Sequence, residues 1–569
     1  MKVLLCGINS QYVHSNLAIR YLKAYVKDII GENLTCDIRE FTINERKEKI
    51  LEDIITEEPD LVVFSTYIWN GEYVRALSRL IKAVDENIKI LYGGPEVSYE
   101  SENFFKNNPG EFLIEGEGEE TFREFFLHLK GEMKIDEIKG LYHKKNNGEI
   151  IYNGPRDAMD MNKIVFPYSD DDDLQHKIVY YEASRGCPFN CKYCLSATLK
   201  KLRFLNVERV KKELKYLCDK GVHLVKFVDR TFNSDRVFSR ELWTYLSELD
   251  TDTKFHFEIS ADLLKDEDIE ILKKAPKDRF QFEVGVQSTD IAVLKNINRV
   301  AEFSQIADNV RKVKACGNIM QHLDLIAGLP GEDFETFKRS FNDVYDIRPD
   351  EIQLGFLKLI KGSPLREEAE KWEMKYSPYQ PYEILQTKHI SYRELLKLKK
   401  IEAMVNKYYN SGKFENIIKF FEDKFETPFD FYYELGMFFE NQGYFNRNIS
   451  SKDYYKVFLE FNDNIVKEKM YILKEIVKYD YLLFNKKRHI PEFLNRLNDK
   501  KFMNESKEYV KNNYPDIDRN SITIEKYEID ILSFIHNGKI VEKESYLLYD
   551  IKNNEIIDIT KGLKKEGII

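Results

Sequence analysis

Cys187, Cys191 and Cys194 stand within one short run, Arg185-Gly186-Cys187-Pro188-Phe189-Asn190-Cys191-Lys192-Tyr193-Cys194, at a C-x3-C-x2-C spacing. Thiolates are soft ligands that suit iron–sulfur clusters. A four-iron cube takes four ligands, so three cysteines on one loop leave one iron open to a substrate or cofactor. Structural zinc takes four ligands, commonly from paired C-x2-C units, and no second pair exists here. Cys6, Cys36, Cys218 and Cys316 are scattered along the chain and read as core thiols. This usage argues against a secreted disulfide framework and makes the reducing cytoplasm the expected compartment.

Other candidate residues fall at the ends of apolar runs downstream of the cysteines: Asp229, Glu258, Gln287 and Ser288, Asp324 and Gly328, with Arg299 about a helix turn and a half beyond the fourth run. S-adenosylmethionine (SAM) carries an ammonium, a carboxylate, a sulfonium, a ribose diol and an adenine. Glu258 and Asp324 can meet the ammonium and the diol, and Arg299 can clamp the carboxylate. Gly328 permits close backbone approach to the adenine.

The elements that position these residues alternate between strand and helix patterns. At 569 residues the chain exceeds what one hydrophobic core supports. Residues 1–130 read as βα units: strands Lys2–Ile8, Leu61–Ser65, Ile88–Tyr92 and Phe112–Ile114, with helical spacing at Leu17, Tyr21, Tyr25 and Ile29. Such units predict a doubly wound parallel sheet whose ligands sit at the carboxyl ends of the strands. Those ends carry Asn9-Ser10, Ser65-Thr66, Gly93-Gly94 and Gly116-Glu117-Gly118. Residues 131–177 form a connector with a hairpin at Asn146-Asn147-Gly148. From 178 to 375 the rhythm resumes, with strands Ile178–Ala183, Leu224–Val228, Lys254–Ile259, Phe280–Val286, Met320–Ile326 and Glu351–Leu357. Six such strands predict an open, partial βα barrel with the cysteine loop on its catalytic face. Residues 376–569 predict a mainly helical domain closed by a small β element at 521–560.

Composition narrows the partners. The net charge is −10, which gives no electrostatic footprint for a phosphate backbone, so nucleic acid is not an expected partner. Mean hydropathy is −0.49, and no apolar run reaches membrane-spanning length. The N-terminal run MKVLLCGINS breaks at Gly7 and reads as a buried first strand, not a signal peptide.

On these motifs residues 178–365 resemble a radical SAM domain of the type shared by coproporphyrinogen dehydrogenase and the cobalamin-dependent members. The resemblance implies that Cys187, Cys191 and Cys194 hold a [4Fe–4S] cluster, that Tyr193 packs near the adenine, and that Glu258, Gln287, Arg299 and Asp324 contact SAM. It implies one-electron cleavage of SAM to methionine and a 5′-deoxyadenosyl radical, fed by a donor such as flavodoxin or ferredoxin. The chain departs from the family in lacking Gly-Gly-Glu after the second strand, where Asp229 stands instead. Residues 1–130 resemble the cobalamin-binding domain that precedes the radical domain in that subgroup. That match rests on Ser65-Thr66, Gly93-Gly94-Pro95 and Gly116-Glu117-Gly118-Glu119. The cobalamin motif D-x-H-x-x-G is not kept: Tyr12 and Leu17 stand where Asp and Gly would flank His14. His14 is therefore expected at the rim, bonded to the loop, and not on cobalt. The C-terminal third resembles an uncharacterised domain that accompanies this pair in anaerobic bacteria.

The resemblance implies a cobalamin-dependent radical SAM enzyme carrying out methyl transfer or related radical chemistry on an unknown substrate. The alternatives are a radical SAM enzyme without corrinoid, and a cobalamin- or cluster-based sensor. A methylthiotransferase needs three further cysteines at the front, where only Cys6 and Cys36 occur.

Overall fold

The computed structural model describes residues 1–198, 201–485, 490–495, 499–518, 522–550, 552–553 and 555–569. It divides into two compact units, Met1–Pro349 with Gln353–Leu395, and Asp350–Ile352 with Leu396–Ile569.

The first unit opens with a seven-stranded sheet of strands β1 (Lys2–Asn9), β2 (Thr35–Thr42), β3 (Leu61–Ser65), β4 (Lys89–Gly93), β5 (Phe112–Ile114), β6 (Leu141–Lys144) and β7 (Ile150–Tyr152), in the order β2-β1-β3-β4-β5-β6-β7. β1 to β5 are parallel. β1 and β3 are apolar on both faces because helices cover both. Val62, Phe64, Ile81 and Ile50 fill one side of the sheet. Val3, Leu5, Phe122 and Phe125 fill the other. The strand order reverses at β1, with β2 on one side and β3 on the other, which opens a crevice at the strand ends. The alternation of apolar runs did not reveal β2, whose residues Thr35-Cys36-Asp37-Ile38-Arg39-Glu40 are mixed in polarity, as an edge strand requires. The hairpin at Asn146-Asn147-Gly148 lies inside the same sheet. β6 pairs antiparallel with β5, and β7 with β6, so the first sheet runs to Tyr152.

The barrel follows in the same unit: β8 (Ile178–Tyr181), a short pair β9 (Ser184–Arg185) and β10 (Arg203–Phe204), then β11 (Leu224–Phe227), β12 (Lys254–Ile259), β13 (Phe280–Gln287), β14 (Ile319–Ala327) and β15 (Glu351–Phe356). The six long strands run in the order β15-β14-β13-β12-β11-β8. This open arc has the βα architecture read from the sequence. Four of its helices start at side-chain caps: Asn206, Asp235, Asp290 and Asp333 each accept a backbone N–H of the first turn. Strands β16 (Lys375–Tyr376) and β17 (Ile384–Gln386) complete the unit.

The second unit is helical, with an aromatic core that includes Tyr408, Phe421, Phe431 and Phe458. Antiparallel strands β18 (Ile522–Tyr527), β19 (Ser545–Asp550) and β20 (Glu555–Asp558) close it. Among the described residues no helix is long and apolar enough to cross a membrane.

Candidate active site

The cysteine loop springs from the end of β8 and is closed at its base by β9 and β10, where Arg185 pairs with Arg203. Gly186 has φ +99°, and a Cβ there would stand 2.6 Å from the Lys201 carbonyl oxygen. The two limbs of the loop touch beside Cys187, and only glycine allows it. Asp229, fully buried, holds the entrance: its carboxylate accepts the Ala183 N–H at 3.0 Å and the Ser184 hydroxyl at 2.5 Å. Burial pushes its carboxyl up to about 7, against the pull of those hydrogen bonds. The residue that replaces the family's Gly-Gly-Glu is thus a strap on the loop.

The far side of the loop is pinned as well. The Lys192 N–H donates to the Ile297 carbonyl at 2.9 Å, and Asn298 Nδ2 donates to the Asn190 carbonyl at 3.0 Å. Cys187 Sγ lies 3.6 Å from Thr231 Oγ1, Cys194 Sγ accepts the Ser196 N–H at 3.4 Å, and Cys191 Sγ lies 3.8 Å from Arg299 Nη1. Burial pushes the Cys191 thiol up, and the Arg299 guanidinium pulls it down. All three cysteines are free. Among the described residues no three His, Cys, Asp or Glu side chains converge on one ion position. Each thiolate of a four-iron cube binds a different iron, so such a spread is compatible with a cube.

The next strand ends present buried polar atoms without partners: Gln287 Oε1, Arg299 Nε and Asp324 Oδ1. Buried polar groups are ordinarily satisfied, so three orphans on two neighbouring strands and the loop between them mark a site built for a polar ligand. Gln287 has φ +70° at a bulge in β13, a strained backbone of the kind found at ligand sites. Burial, then the charges of Glu283 and Glu258, push the Asp324 carboxyl well above its ordinary range. Glu258 is also raised by burial, with Arg230 opposing. Tyr193 packs beside Arg299 and Cys191, and burial raises its hydroxyl.

Two residues singled out in the sequence face elsewhere. The Ser288 hydroxyl donates to Glu332 at 3.0 Å inside a buried network with Ser340. Gly328, at φ +87°, is packed against Ile384, whose Cγ2 would lie 2.9 Å from an added Cβ. Conversely, Lys226, His256 and Glu283 were not singled out as a group. Glu283 accepts from Lys226 at 3.2 Å and lies 2.9 Å from His256 Nε2. The His256 contact chiefly holds the Glu283 carboxyl down at about 2. The two-residue period of Lys-Phe-His-Phe-Glu-Ile in β12 carries the signal: apolar residues alternate with polar ones that turn into the barrel.

In the first sheet the strand ends sort into two kinds. Asn9 and Ser65 are consumed internally, since Asn16 Nδ2 donates to Asn9 Oδ1 at 3.2 Å and to Ser65 Oγ at 3.0 Å. Ser10 offers its carbonyl to Asn44. Gly94, at φ +107°, backs onto Thr66, whose carbonyl oxygen would lie 2.5 Å from an added Cβ. It shapes the turn and is not floor. Gly93 and Gly116, in contrast, have no atom within 4 Å of an added Cβ. Thr66 is fully buried with Oγ1 unpartnered. Open space above two glycines beside an orphan hydroxyl fits a ligand lying on the sheet end.

The two halves of this unit meet through the same loops. Glu119 pairs with Arg185, and Glu117 pairs with Arg203. Glu182 accepts from Arg185 Nε at 2.9 Å. The loop after β5 therefore grips both ends of the cysteine loop.

The doubly wound sheet and the open βα barrel with its three free cysteines coincide with two family matches, a B12-binding domain followed by a radical SAM domain. Residues 3–126 match the B12 binding domain, 181–344 the Radical SAM superfamily, and 370–549 a protein of unknown function (DUF4080). The chain carries all three domains. It is 25% identical to the cobalamin-dependent radical SAM methyltransferase TokK of Streptomyces tokunonensis, over 57% of this chain and 51% of that protein. It is 24% identical to the uncharacterized methyltransferase PH0819 of Pyrococcus horikoshii, over 60% of this chain and 77% of that one. The chain thus spans about half the length of TokK. The fold is similar to that of the cobalamin-dependent S-adenosylmethionine radical enzyme OxsB, with TM-score 0.57 and 17% identity over 85% of this chain and 79% of that one. It is similar also to the methyltransferase TsrM of Kitasatospora setae, with TM-score 0.55 and 15% identity over 66% and 76%.

Proposed function

We propose that the protein is a cobalamin-dependent radical SAM enzyme that transfers a methyl group, or performs related radical chemistry, on a substrate held between its first two domains. The observation that carries this reading is the row of buried, unpartnered Gln287 Oε1, Arg299 Nε and Asp324 Oδ1 beside a loop of three free cysteines.

Cys187, Cys191 and Cys194 would hold the cluster. Asp324 and Glu258 would take the ammonium and the diol of SAM, Arg299 Nε its carboxylate, and Tyr193 the adenine. Gly93, Gly116 and Thr66 would floor the corrinoid. When bound, the cluster and SAM supply one-electron cleavage of the sulfonium, and the corrinoid supplies a methyl carrier. The chain's own contribution is to desolvate and orient. Asp229 and Gly186 fix the loop, and Arg299 places positive charge beside Cys191, where charge-assisted contacts are strong. The paired Glu117–Arg203 and Glu119–Arg185 contacts keep the two halves in register. An electron donor such as flavodoxin or ferredoxin, in the reducing cytoplasm, is the partner this chemistry requires.

Anaerobic purification followed by an optical spectrum tests the reading. Charge-transfer absorption from an iron–sulfur cluster together with separate corrinoid bands is the expected result. A cluster without corrinoid would leave a cobalamin-free radical SAM enzyme, and the absence of both signals would refute the proposal.

A further inference from the structure

Arg230 stands between residues that are all firmly held. Before it, Asp229 is buried and bonded to Ala183 and Ser184. After it, Thr231 Oγ1 donates to the Arg230 carbonyl at 2.7 Å and lies against Cys187. Asn233, also buried, donates to the Ser260 carbonyl and accepts the Ser260 N–H, each at 2.9 Å. Arg230 itself is open to solvent, yet protein encloses it closely enough that burial is the largest influence on its charge. The charges that act on it are Glu258, Cys194, Glu182 and Cys187, so it lies in the hollow above the cysteine loop. Among the described residues its guanidinium makes no hydrogen bond, ion pair or ring contact.

The contrast with the other cations around the hollow is direct. Arg299 is committed to the Gly285 carbonyl and to Cys191. Lys226 is spent on Glu283, and Arg185 on Glu119 and Glu182. Arg230 alone among these four keeps its whole donor fork. It also lies on the side of the first domain: Tyr67, at the end of β3 and stacked on Trp69 at 4.4 Å, sits among the charges of Glu182, Glu119, Arg230 and Arg185. The residues proposed above for SAM stand on β12, β13 and β14 and the loop at 299. Arg230 lies near both Glu258, one of these residues, and Tyr67 of the first domain. A guanidinium with free parallel donors is matched to a planar carboxylate or a phosphate.

We propose that Arg230 is the anion anchor of the substrate: it binds a carboxylate or phosphate group of the molecule that lies between the first domain and the cysteine loop, separately from the carboxylate of SAM. This rests on the function proposed above.

The test is protection of Arg230 from phenylglyoxal, read by peptide mass spectrometry on the full-length, reconstituted protein held anaerobically with corrinoid and saturating SAM. Inorganic phosphate and acetate are the probes. Arg230 should be modified faster than the paired Arg185. Either phosphate or acetate should slow its modification by roughly tenfold at saturation, as expected for a charge-assisted contact, and the more effective of the two identifies the group on the substrate. Complete protection by SAM alone, with no further effect of either anion, would assign Arg230 to SAM and overturn the proposal. Modification unaffected by SAM and by both anions would overturn it as well. The cluster and corrinoid spectra of the same sample report separately on the proposed function.

Discussion

Tyr180 and His14 join the two halves of the first unit, with the Tyr180 hydroxyl 2.8 Å from His14 Nδ1. The backbone supports the contact, because His14 lies beside Ile178 in a parallel bridge and the Ile178 N–H donates to the Val13 carbonyl at 2.7 Å. The segment after β1 therefore runs alongside the edge strand of the barrel. Burial, then the nearby Lys226 and Lys177, lower the affinity of the ring for a proton. His14 thus bridges the two domains through the Tyr180 side chain, where a bond to its own loop was expected.

His14→Ala should retain corrinoid nearly as well as the parent, measured by absorbance after desalting. Electron paramagnetic resonance of the Co(II) state should show no histidine nitrogen splitting in either protein. Splitting present in the parent and lost in the variant would place His14 on cobalt.

Cys187→Ala, Cys191→Ala and Cys194→Ala should each abolish the reconstituted cluster signal and SAM cleavage. Cys6 and Cys36 are buried, and burial raises both thiols. Replacing either one, or Cys218 or Cys316, should leave four irons per chain. Loss of iron from one of these four variants alone would break the ligand assignment.

The glycines at the end of β4 should separate cleanly. Gly93→Leu has room, so the fold and cluster should persist while corrinoid retention drops sharply. Gly94→Ala puts a Cβ against the Thr66 backbone at positive φ and should cost about 1–3 kcal/mol of stability, seen as a lower denaturation midpoint. Equal corrinoid binding by Gly93→Leu and the parent would remove Gly93 from the site.

Asp229 gives a pH signature. Its carboxyl, near 3.8 in an ordinary setting, is raised to about 7 in the fold, so the native state holds this proton more tightly than the unfolded chain. Its favourable contribution is complete below pH 3.8 and is lost as pH rises through about 7. Asp229→Asn can accept from Ala183 and donate to Ser184, and should abolish that loss. The stability difference between variant and parent should grow in favour of the variant from pH 4 to 7, measured by chemical denaturation. Asp229→Ala removes both contacts, about 1–3 kcal/mol for each buried partner left unmatched, and should lower iron content.

Arg299→Ala should weaken SAM binding by roughly ten- to a hundred-fold, the worth of a charged hydrogen bond, with the cluster still formed. Calorimetry showing unchanged affinity would refute its place at the carboxylate.

What the sequence determined by itself was the local chemistry and the order of elements. Three cysteines on one loop are covalently close, so their spacing alone names a metal chemistry. Runs such as Leu61–Ser65 are apolar enough to be read directly as buried strands. Tertiary structure decided which polar residues are free. Ser288, Asn9 and Ser65 stand at strand ends as Gln287 and Thr66 do. Glu332 satisfies Ser288 and Asn16 satisfies Asn9 and Ser65, leaving the other two with unpartnered atoms. Gly93 and Gly94 are adjacent, yet one faces open space and the other the backbone of Thr66. Hydrogen-bond saturation and close packing are properties of neighbours in space, and long-range contacts set them. The side chains that remain unsatisfied, which are the ones available to a ligand, emerge only when the chain is folded.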